Sequence, residues 1–290
     1  MKIYLACLAL LAYTGLCFAA DMNKNTEAII RGIINGEPIK KETPLKTDTG
    51  KAVKDDPKDP QTTPRKGGDR EAPQATPPDE IMLRTAIQLY NTDLIEAALV
   101  KFRELKSKYP QSPFKDAAVV WTGKILYQQN RLPEALREFT SIGEDSGEYP
   151  SALYYIGETH YKSGNLPGSI EFLYKTFSQF PEHEKADDAL LLIGNIYLRA
   201  KKGNQALEAA VKMIKYYPDR DTIDDAYYLL GKVFEKDPEF RDFEKARKIY
   251  GIFIKKAGVE KDPHFSNSPL LPRVERDLRF IEATYFRNEN

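Results

Sequence analysis

The sequence feature that most constrains the fold is a unit that occurs twice within residues 149–218. The first copy begins at the aromatic-proline pair Tyr149-Pro150, and the second follows Phe180-Pro181 and closes on Tyr217-Pro218. In each copy a glycine is followed, twelve positions later, by a small residue. A fixed period of this length predicts helical hairpins that stack on one another and share a continuous apolar core.

The same register extends in both directions from these two copies. Its first slot, spaced at 37, 34, 37 and 37 residues, holds Ala86, Gly123, Gly157, Gly194 and Gly231. Its second slot holds Ala98, Ala135, Ser169, Ala206 and Ala246. Four positions after the second slot stand Phe102, Phe139, Leu173, Ala210 and Tyr250. Two insertions, Gly143–Tyr149 and Lys236–Phe240, interrupt an otherwise regular series of five repeats.

Packing geometry accounts for these slots. Where two antiparallel helices cross closely, a side chain larger than that of Gly, Ala or Ser would force them apart. A bulky residue four positions later lies on the same helix face and fills the adjoining groove. Pro133 and Pro167 fall in first helical turns, where a missing N–H costs no hydrogen bond. The slots therefore predict five hairpins, each made of a first and a second helix.

This pattern resembles the tetratricopeptide repeat over residues 79–258, with departures from the consensus at Ser169, Leu173 and Ala210. The resemblance implies an all-α, right-handed solenoid of five hairpins. A last helix, within residues 259–290, should cover the final apolar face, because a solenoid must be capped at its end. Its apolar stripe is Leu271, Val274, Leu278, Ile281 and Tyr285, and Arg273, Glu275, Arg276 and Asp277 should face solvent.

The N-terminal residues 1–19 read as a secretory signal peptide. Lys2 is followed by the uncharged apolar stretch Ile3–Phe18, and Cys17-Phe18-Ala19 offers small residues for cleavage before Ala20. An uncleaved anchor and a lipoprotein modified at Cys17 remain alternatives, although Leu16 fits a lipobox poorly. Both cysteines of the chain, Cys7 and Cys17, lie in this segment. The mature protein should therefore be periplasmic and contain neither a disulfide nor a cysteine-bound metal.

Residues 20–78 differ from the rest of the chain. Eight of the 19 prolines lie here, and basic and acidic residues alternate in near-equal numbers. Such a segment buries too little apolar area to offset chain entropy, which predicts a disordered linker. The exception is Thr26–Ile34, where four isoleucines recur at helical spacing. This stretch is either a stub of the exported N-terminus or a short docking motif on a tether.

The sequence offers little for catalysis or metal binding. His160, His183 and His264 lie in different parts of the chain, and none has a second ligand at metal spacing. No phosphate loop, GxSxG or HExxH motif is present. The acidic run Asp219–Asp225 resembles a helix cap more than a calcium loop, because it lacks the required glycine and terminal glutamate. We therefore expect no enzyme and no cofactor.

Binding is the function that the pattern favours. Stacked hairpins curve, so that their first helices line a concave groove. Tyrosine recurs at the positions that should face it, and tyrosine suits protein contacts because it offers apolar area with a polar tip. The alternative is that some of these tyrosines pack only between repeats. The predicted groove residues are Tyr90, Asn91, Lys124, Tyr127, Tyr154, Glu158, Tyr161, Asn195, Arg199, Tyr228 and Lys232.

The inter-repeat turns, such as FPEHEKADDALLLIG, resemble those of two groups of bacterial envelope repeat proteins. One is the YbgF-type coordinator associated with Tol-Pal, and the other is the outer-membrane assembly lipoprotein BamD. The resemblance implies a scaffold for envelope proteins that acts in outer-membrane assembly or cell division. An accessory subunit of another periplasmic secretion or motor complex is the alternative. A formal net charge of zero argues against nucleic acid and against direct membrane binding, unless Cys17 is lipidated. The oligomeric state stays open.

Overall fold

The computed structural model describes residues 24–44 and 76–287, and every regular element within them is helical. The predicted signal peptide, both cysteines and most of the predicted linker lie outside these residues. Helix α1 spans residues 24–35. The others are α2 (Pro78–Asn91), α3 (Ile95–Lys108), α4 (Lys115–Gln128), α5 (Leu132–Thr140), α6 (Tyr149–Lys162), α7 (Leu166–Gln179), α8 (Ala186–Arg199), α9 (Gly203–Tyr216), α10 (Ile223–Lys236), α11 (Phe243–Gly258), α12 (Pro263–Ser266) and α13 (Leu271–Tyr285). None of these helices is both long enough and apolar enough to cross a bilayer.

Helices α2 to α11 pair consecutively as five hairpins, at the positions that the repeat register predicts. The chain divides into two compact units. One unit contains the hairpins α2/α3, α4/α5 and α6/α7, and we call it the three-hairpin unit. The other contains α1, the hairpins α8/α9 and α10/α11, and helices α12 and α13, and we call it the two-hairpin unit.

The glycines of the first slot hold the hairpins together by leaving room for the bulky residue of the second helix. A Cβ placed on Gly123 would lie 2.5 Å from the ring of Phe139, and one on Gly157 would lie 2.7 Å from Leu173. Gly231 is covered in the same way by Tyr250. Each of these second-helix residues is fully buried. The predicted role of the small slot is thus refined: it receives a side chain directly rather than only allowing two backbones to approach.

Gly194 follows the same principle with a different partner. Its second helix carries Ala210 where the other repeats have a bulky residue, and Leu229 of the next hairpin fills the space instead. The departure from the consensus at Ala210 is therefore compensated within the two-hairpin unit.

The short helix α1 and the arm that follows it depart from the expected linker. Ile30 and Ile33 are buried, and the helix ends in a Schellman motif, with Gly36 at φ 74° and the Glu37 N–H donating to the Gly32 carbonyl. The arm then runs to residue 44, and the Glu42 N–H donates to the Lys215 carbonyl at 3.2 Å. Residues 24–44 thus pack on the repeats.

Helix α13 covers α11, as the capping prediction requires. Val274 and Ile281 are fully buried, whereas Tyr285 is half exposed and stacks on Phe243. One residue expected to face solvent does not: the Asp277 carboxylate accepts hydrogen bonds from Tyr228 and Lys232. The apolar stripe of α13 alone predicts that Asp277 faces solvent. The pattern does not reveal Lys232 on α10, which pairs with this carboxylate.

The helix cap predicted within Asp219–Asp225, with Asp221 as its first residue, is wrong. Helix α10 has Thr222 at its N-cap and no side-chain cap. The Thr222 hydroxyl instead donates to the buried Asp187 carboxylate at 2.8 Å. Ser268 donates in the same way to the buried Asp224. These Ser/Thr-to-Asp bonds tie each first helix of the two-hairpin unit to the turn that follows its hairpin.

The glycine slot gives a test of the fold with a matched control. Gly231→Ala should lower the free energy of unfolding by about 1–3 kcal/mol, because the added methyl group meets the buried Tyr250 ring. Gly251→Ala makes the same change inside α11, where nothing lies within 4 Å, and should raise it by roughly 0.5–1 kcal/mol. Urea denaturation followed by circular dichroism measures both. Equal effects in the two variants would contradict this packing.

Candidate functional site: the first-helix faces

In the three-hairpin unit, the predicted groove residues form a cluster of aromatic and charged side chains on α4 and α6. Lys124, Tyr127, Tyr154, Glu158 and Tyr161 are all half-buried. Their positions follow from the repeat register, which places i, i+3 and i+4 neighbours on one helix face. The structure brings these five residues together, and their role in binding a partner stays a prediction.

Lys124 is the charged centre of the cluster. Its ammonium lies 3.8 Å from the centroid of the Trp121 ring and 5.5 Å from that of Tyr155. Burial and the nearby Lys185 lower the pKa of Lys124, while the carboxylates of Glu184, Glu148 and Glu158 act in the opposite direction. A cation held over aromatic rings offers both charge and apolar area to an incoming group.

Tyr127 is held from a neighbouring hairpin. Lys162 donates to the Tyr127 carbonyl at 2.9 Å, and its ammonium lies 4.4 Å from the Tyr127 ring centroid. Burial, helped by the carboxylate of Glu158, raises the pKa of Tyr127 to about 12. The phenol therefore stays protonated at neutral pH and can act as a hydrogen-bond donor.

Trp121, the only tryptophan of the chain, belongs to this face and was missed by the sequence analysis. It stacks on Phe102 with ring centroids 5.8 Å apart and contacts Tyr90 edge-on at 4.9 Å. Tyr90 also accepts a hydrogen bond from Gln128, and Asn91 is exposed. The missed signal was the i, i+3 spacing of Trp121 and Lys124, which puts the ring under the ammonium.

In the two-hairpin unit, two of the predicted groove residues contact the C-terminal helix instead of lying open. Tyr228 and Lys232 are engaged by α13: Lys232 lies 3.2 Å from Asp277 and 2.6 Å from Glu235, and its side chain is only 10% exposed. Burial and the Asp277 carboxylate raise the pKa of Tyr228. On α8, Asn195 is half-buried and Arg199 is exposed. The C-terminal helix thus occupies the α10 part of the predicted groove.

Two carboxylates that the prediction did not include lie on the first helices of this unit. Burial raises the pKa of Asp225 to about 6, with the charges of Asp224 and Asp188 adding to the effect. Asp188 belongs to α8 and Asp225 to α10, so adjacent hairpins contribute like charges to one place. A basic group from a ligand would relieve this repulsion.

The described residues contain no cluster of His, Cys, Asp or Glu side chains that could hold a metal ion. His160 packs on Phe172, and Asn165 Nδ2 lies 3.2 Å from its Nδ1. His183 is half-buried, and its Nδ1 accepts a hydrogen bond from the Lys185 N–H.

Comparisons with known proteins agree with the repeat fold. Residues 146–256 match the family model described as YfiO, outer membrane lipoprotein. Among solved structures, a tetratricopeptide repeat protein from Parabacteroides merdae is similar at a TM-score of 0.53 and 17% identity, covering 72% of this chain and 75% of its own.

Two further solved structures are similar at comparable distances. Pseudomonas aeruginosa PilF has a TM-score of 0.51 and 14% identity over 73% of this chain and 95% of its own. MamA has a TM-score of 0.51 and 17% identity over 63% of this chain and 95% of its own. No curated protein sequence matches. The fold is therefore a helical solenoid of the tetratricopeptide repeat type.

The Asp225 carboxyl gives a pH test of this site. Its pKa is higher in the folded protein than its ordinary value near 4, so the folded state binds the proton more tightly. The resulting stabilisation is present at low pH and is lost as pH rises through about 6. Asp225→Asn should therefore raise the free energy of unfolding at pH 7 by roughly 1–2 kcal/mol, after allowance for partial solvent screening.

The gain should shrink towards zero between pH 6 and pH 4, since the wild-type carboxyl becomes protonated there. Urea titrations at several pH values measure the difference between variant and wild type. Asp145→Asn, at an exposed position of the three-hairpin unit, is the control and should change stability little at any pH. A gain from Asp225→Asn that is independent of pH would contradict the assignment.

Proposed function

We propose that this protein is a non-enzymatic scaffold that binds a protein or peptide partner on the first-helix face of its repeats. The observation that carries the proposal is the cluster around Lys124 on α4 and α6. It presents half-buried aromatic rings, the half-buried cation of Lys124 and the protonated hydroxyl of Tyr127 on a preformed helical surface. Such amphipathic groups contribute strongly to binding because little side-chain entropy is lost on contact.

The cluster favours a ligand with mixed character. Lys124 and Lys162 offer positive charge over aromatic rings, and Glu158 supplies a carboxylate beside them. A peptide edge with acceptor groups for the two lysines, an N–H or basic group beside Glu158 and an apolar side chain over the rings would suit this combination.

We infer that the protein acts in the bacterial envelope. Two observations support this location: the apolar stretch at residues 3–18, typical of an export signal, and the match of residues 146–256 to a family described as an outer membrane lipoprotein. Outer-membrane assembly, as in the BamD resemblance, and division coordination, as in the YbgF-type resemblance, are the two roles we propose. The family match favours the first.

A second candidate is an accessory subunit of another periplasmic machine. The similarity to PilF is a similarity of fold and is equally compatible with this candidate. The partner recovered from cells separates the two, because each machine has different components.

The partner-binding proposal predicts the effect of a double substitution. Tyr154→Ala with Tyr161→Ala should reduce capture of the partner from a crosslinked envelope fraction at least tenfold, without loss of helicity by circular dichroism. Tyr174→Ala is the control, because this tyrosine is 50% exposed on the second helix α7. Equal capture by the double variant and wild type would refute the assignment of this face.

A direct readout is available once a partner peptide is known. Trp121 is the only tryptophan, so its emission reports on this face alone. Titration with the peptide should shift the emission and saturate, and Lys124→Met should weaken the fitted affinity. A peptide that binds by calorimetry but leaves Trp121 emission unchanged would place the contact elsewhere.

A further inference from the structure

The two-hairpin unit has a second, separate surface, which its own N-terminal segment covers. Helix α1 and the following arm lie over the second helices α9 and α11. Ile30 and Ile34 line one cavity with Leu207, Phe234 and Phe240. The pocket beyond it is lined by Ile33 and Ile39 together with Ile214, Tyr227 and Ile252. We call this surface the second-helix groove.

The residues of α10 show that this groove differs from the first-helix face. Its stripe towards α1 is Ile223, Tyr227 and Phe234, at i, i+4 and i+11. The stripe that meets α13 and the Asp188 carboxylate is Asp225, Tyr228 and Lys232. The two sets lie on different faces of one helix, so a ligand in the groove does not need the first-helix face.

The occupant has the form of a helical ligand. Thr26, Ile30 and Ile33 are buried at i, i+4 and i+7, the spacing by which an amphipathic helix places its anchors in a groove. Twelve residues are too few for a stable isolated helix, so α1 depends on the groove for its structure. The helical conformation of α1 therefore forms only when the segment docks in the groove.

The segment is held by a small number of fully buried side chains. Ile30, Ile33 and Pro44 are buried, and the other isoleucines of the segment are half-buried. The ion pair of Lys41 with Asp219 at 2.6 Å is exposed and contributes little, whereas Glu42 pairs at 2.7 Å with Lys215, whose side chain is only 13% exposed. Elements with few buried contacts open at low free-energy cost.

The fit is also incomplete. A cavity of about 540 Å³ remains between α1 and the residues around Phe234, and another of about 340 Å³ lies beside Ile33 and Tyr227. Larger side chains than isoleucine would find space there and gain packing contacts. A helix with phenylalanine at these positions would bind the groove more tightly than α1 does.

The rim of the groove carries both signs of charge. Lysines from α11 line the cavities, but they pair with carboxylates of the same rim: Lys245 with Asp242, Lys248 with Glu244, and Lys255 and Lys256 with Glu260. The apolar stripe and the space beside it, rather than the charge of the rim, therefore describe a suitable ligand.

We propose that the second-helix groove is a binding site for an amphipathic helix of a partner protein with apolar anchors bulkier than isoleucine, and that residues 24–44 occupy it as a displaceable ligand from the same chain. Displacement exposes the apolar stripe of α10 to the partner and frees the N-terminal segment. The proposal does not depend on the first-helix face, and the two fail independently.

The test uses the full chain and a labelled peptide of residues 24–44 as the probe, with binding followed by fluorescence anisotropy. Ile30→Asp with Ile33→Asp should release the segment, because both buried anchors become charged. This variant should bind the peptide at least tenfold more tightly than wild type, whose groove is filled. Lys24→Asp changes the net charge by the same amount at an exposed position and should behave like wild type.

A second variant guards against misfolding of the first. Lys41→Glu with Glu42→Lys reverses the charges of both residues at the ion pairs with Asp219 and Lys215, leaves the core of the repeats unchanged, and should give intermediate peptide affinity. A peptide carrying Asp at positions 30 and 33 should bind none of the proteins. Equal binding to wild type and to both release variants would overturn occupancy, and no binding to any of them would overturn the groove as a site.

Discussion

The structure depends on one repeated steric relation: in three of the five hairpins, a glycine in the first helix faces a bulky residue in the second helix. Gly123 with Phe139, Gly157 with Leu173 and Gly231 with Tyr250 all show it. Because these bulky residues are fully buried, the relation fixes how deeply two helices of a hairpin approach. It also fixes which face of each first helix stays outside the hairpin, and that face carries the candidate site.

Much of this could be predicted from the sequence because the relation is local. The slots that contain Gly157 and Ser169 lie twelve positions apart, within one hairpin, so periodicity alone located the hairpins and the Lys124 cluster. What the sequence did not predict depends on contacts over long separations. Asp277 turns inwards because Lys232, 45 positions away, neutralises it, and α1 folds because the groove on α9 and α11 receives it. A helical wheel of either segment alone contains neither partner.

The two faces of the repeats have different physical character. The first-helix face is preformed, with rings and charges fixed by neighbouring hairpins, as Lys162 fixes Tyr127. The second-helix groove is covered by a segment that folds only on contact. A scaffold with one open and one covered surface can engage one partner constantly and admit another only when the cover is displaced. Such an arrangement would link two binding events through competition rather than through a change in the shape of the repeats.

The central claim is that the first-helix face contacts a partner in the cell, and site-specific photo-crosslinking tests it most directly. A photoreactive amino acid would replace Tyr161 on α6 or, separately, Tyr174 on the second helix α7, in cells that naturally make the protein. The account predicts a discrete crosslinked species from position 161, containing a protein of the bacterial envelope, and none of that species from position 174. The same crosslinked protein from both positions, or from position 174 alone, would contradict it.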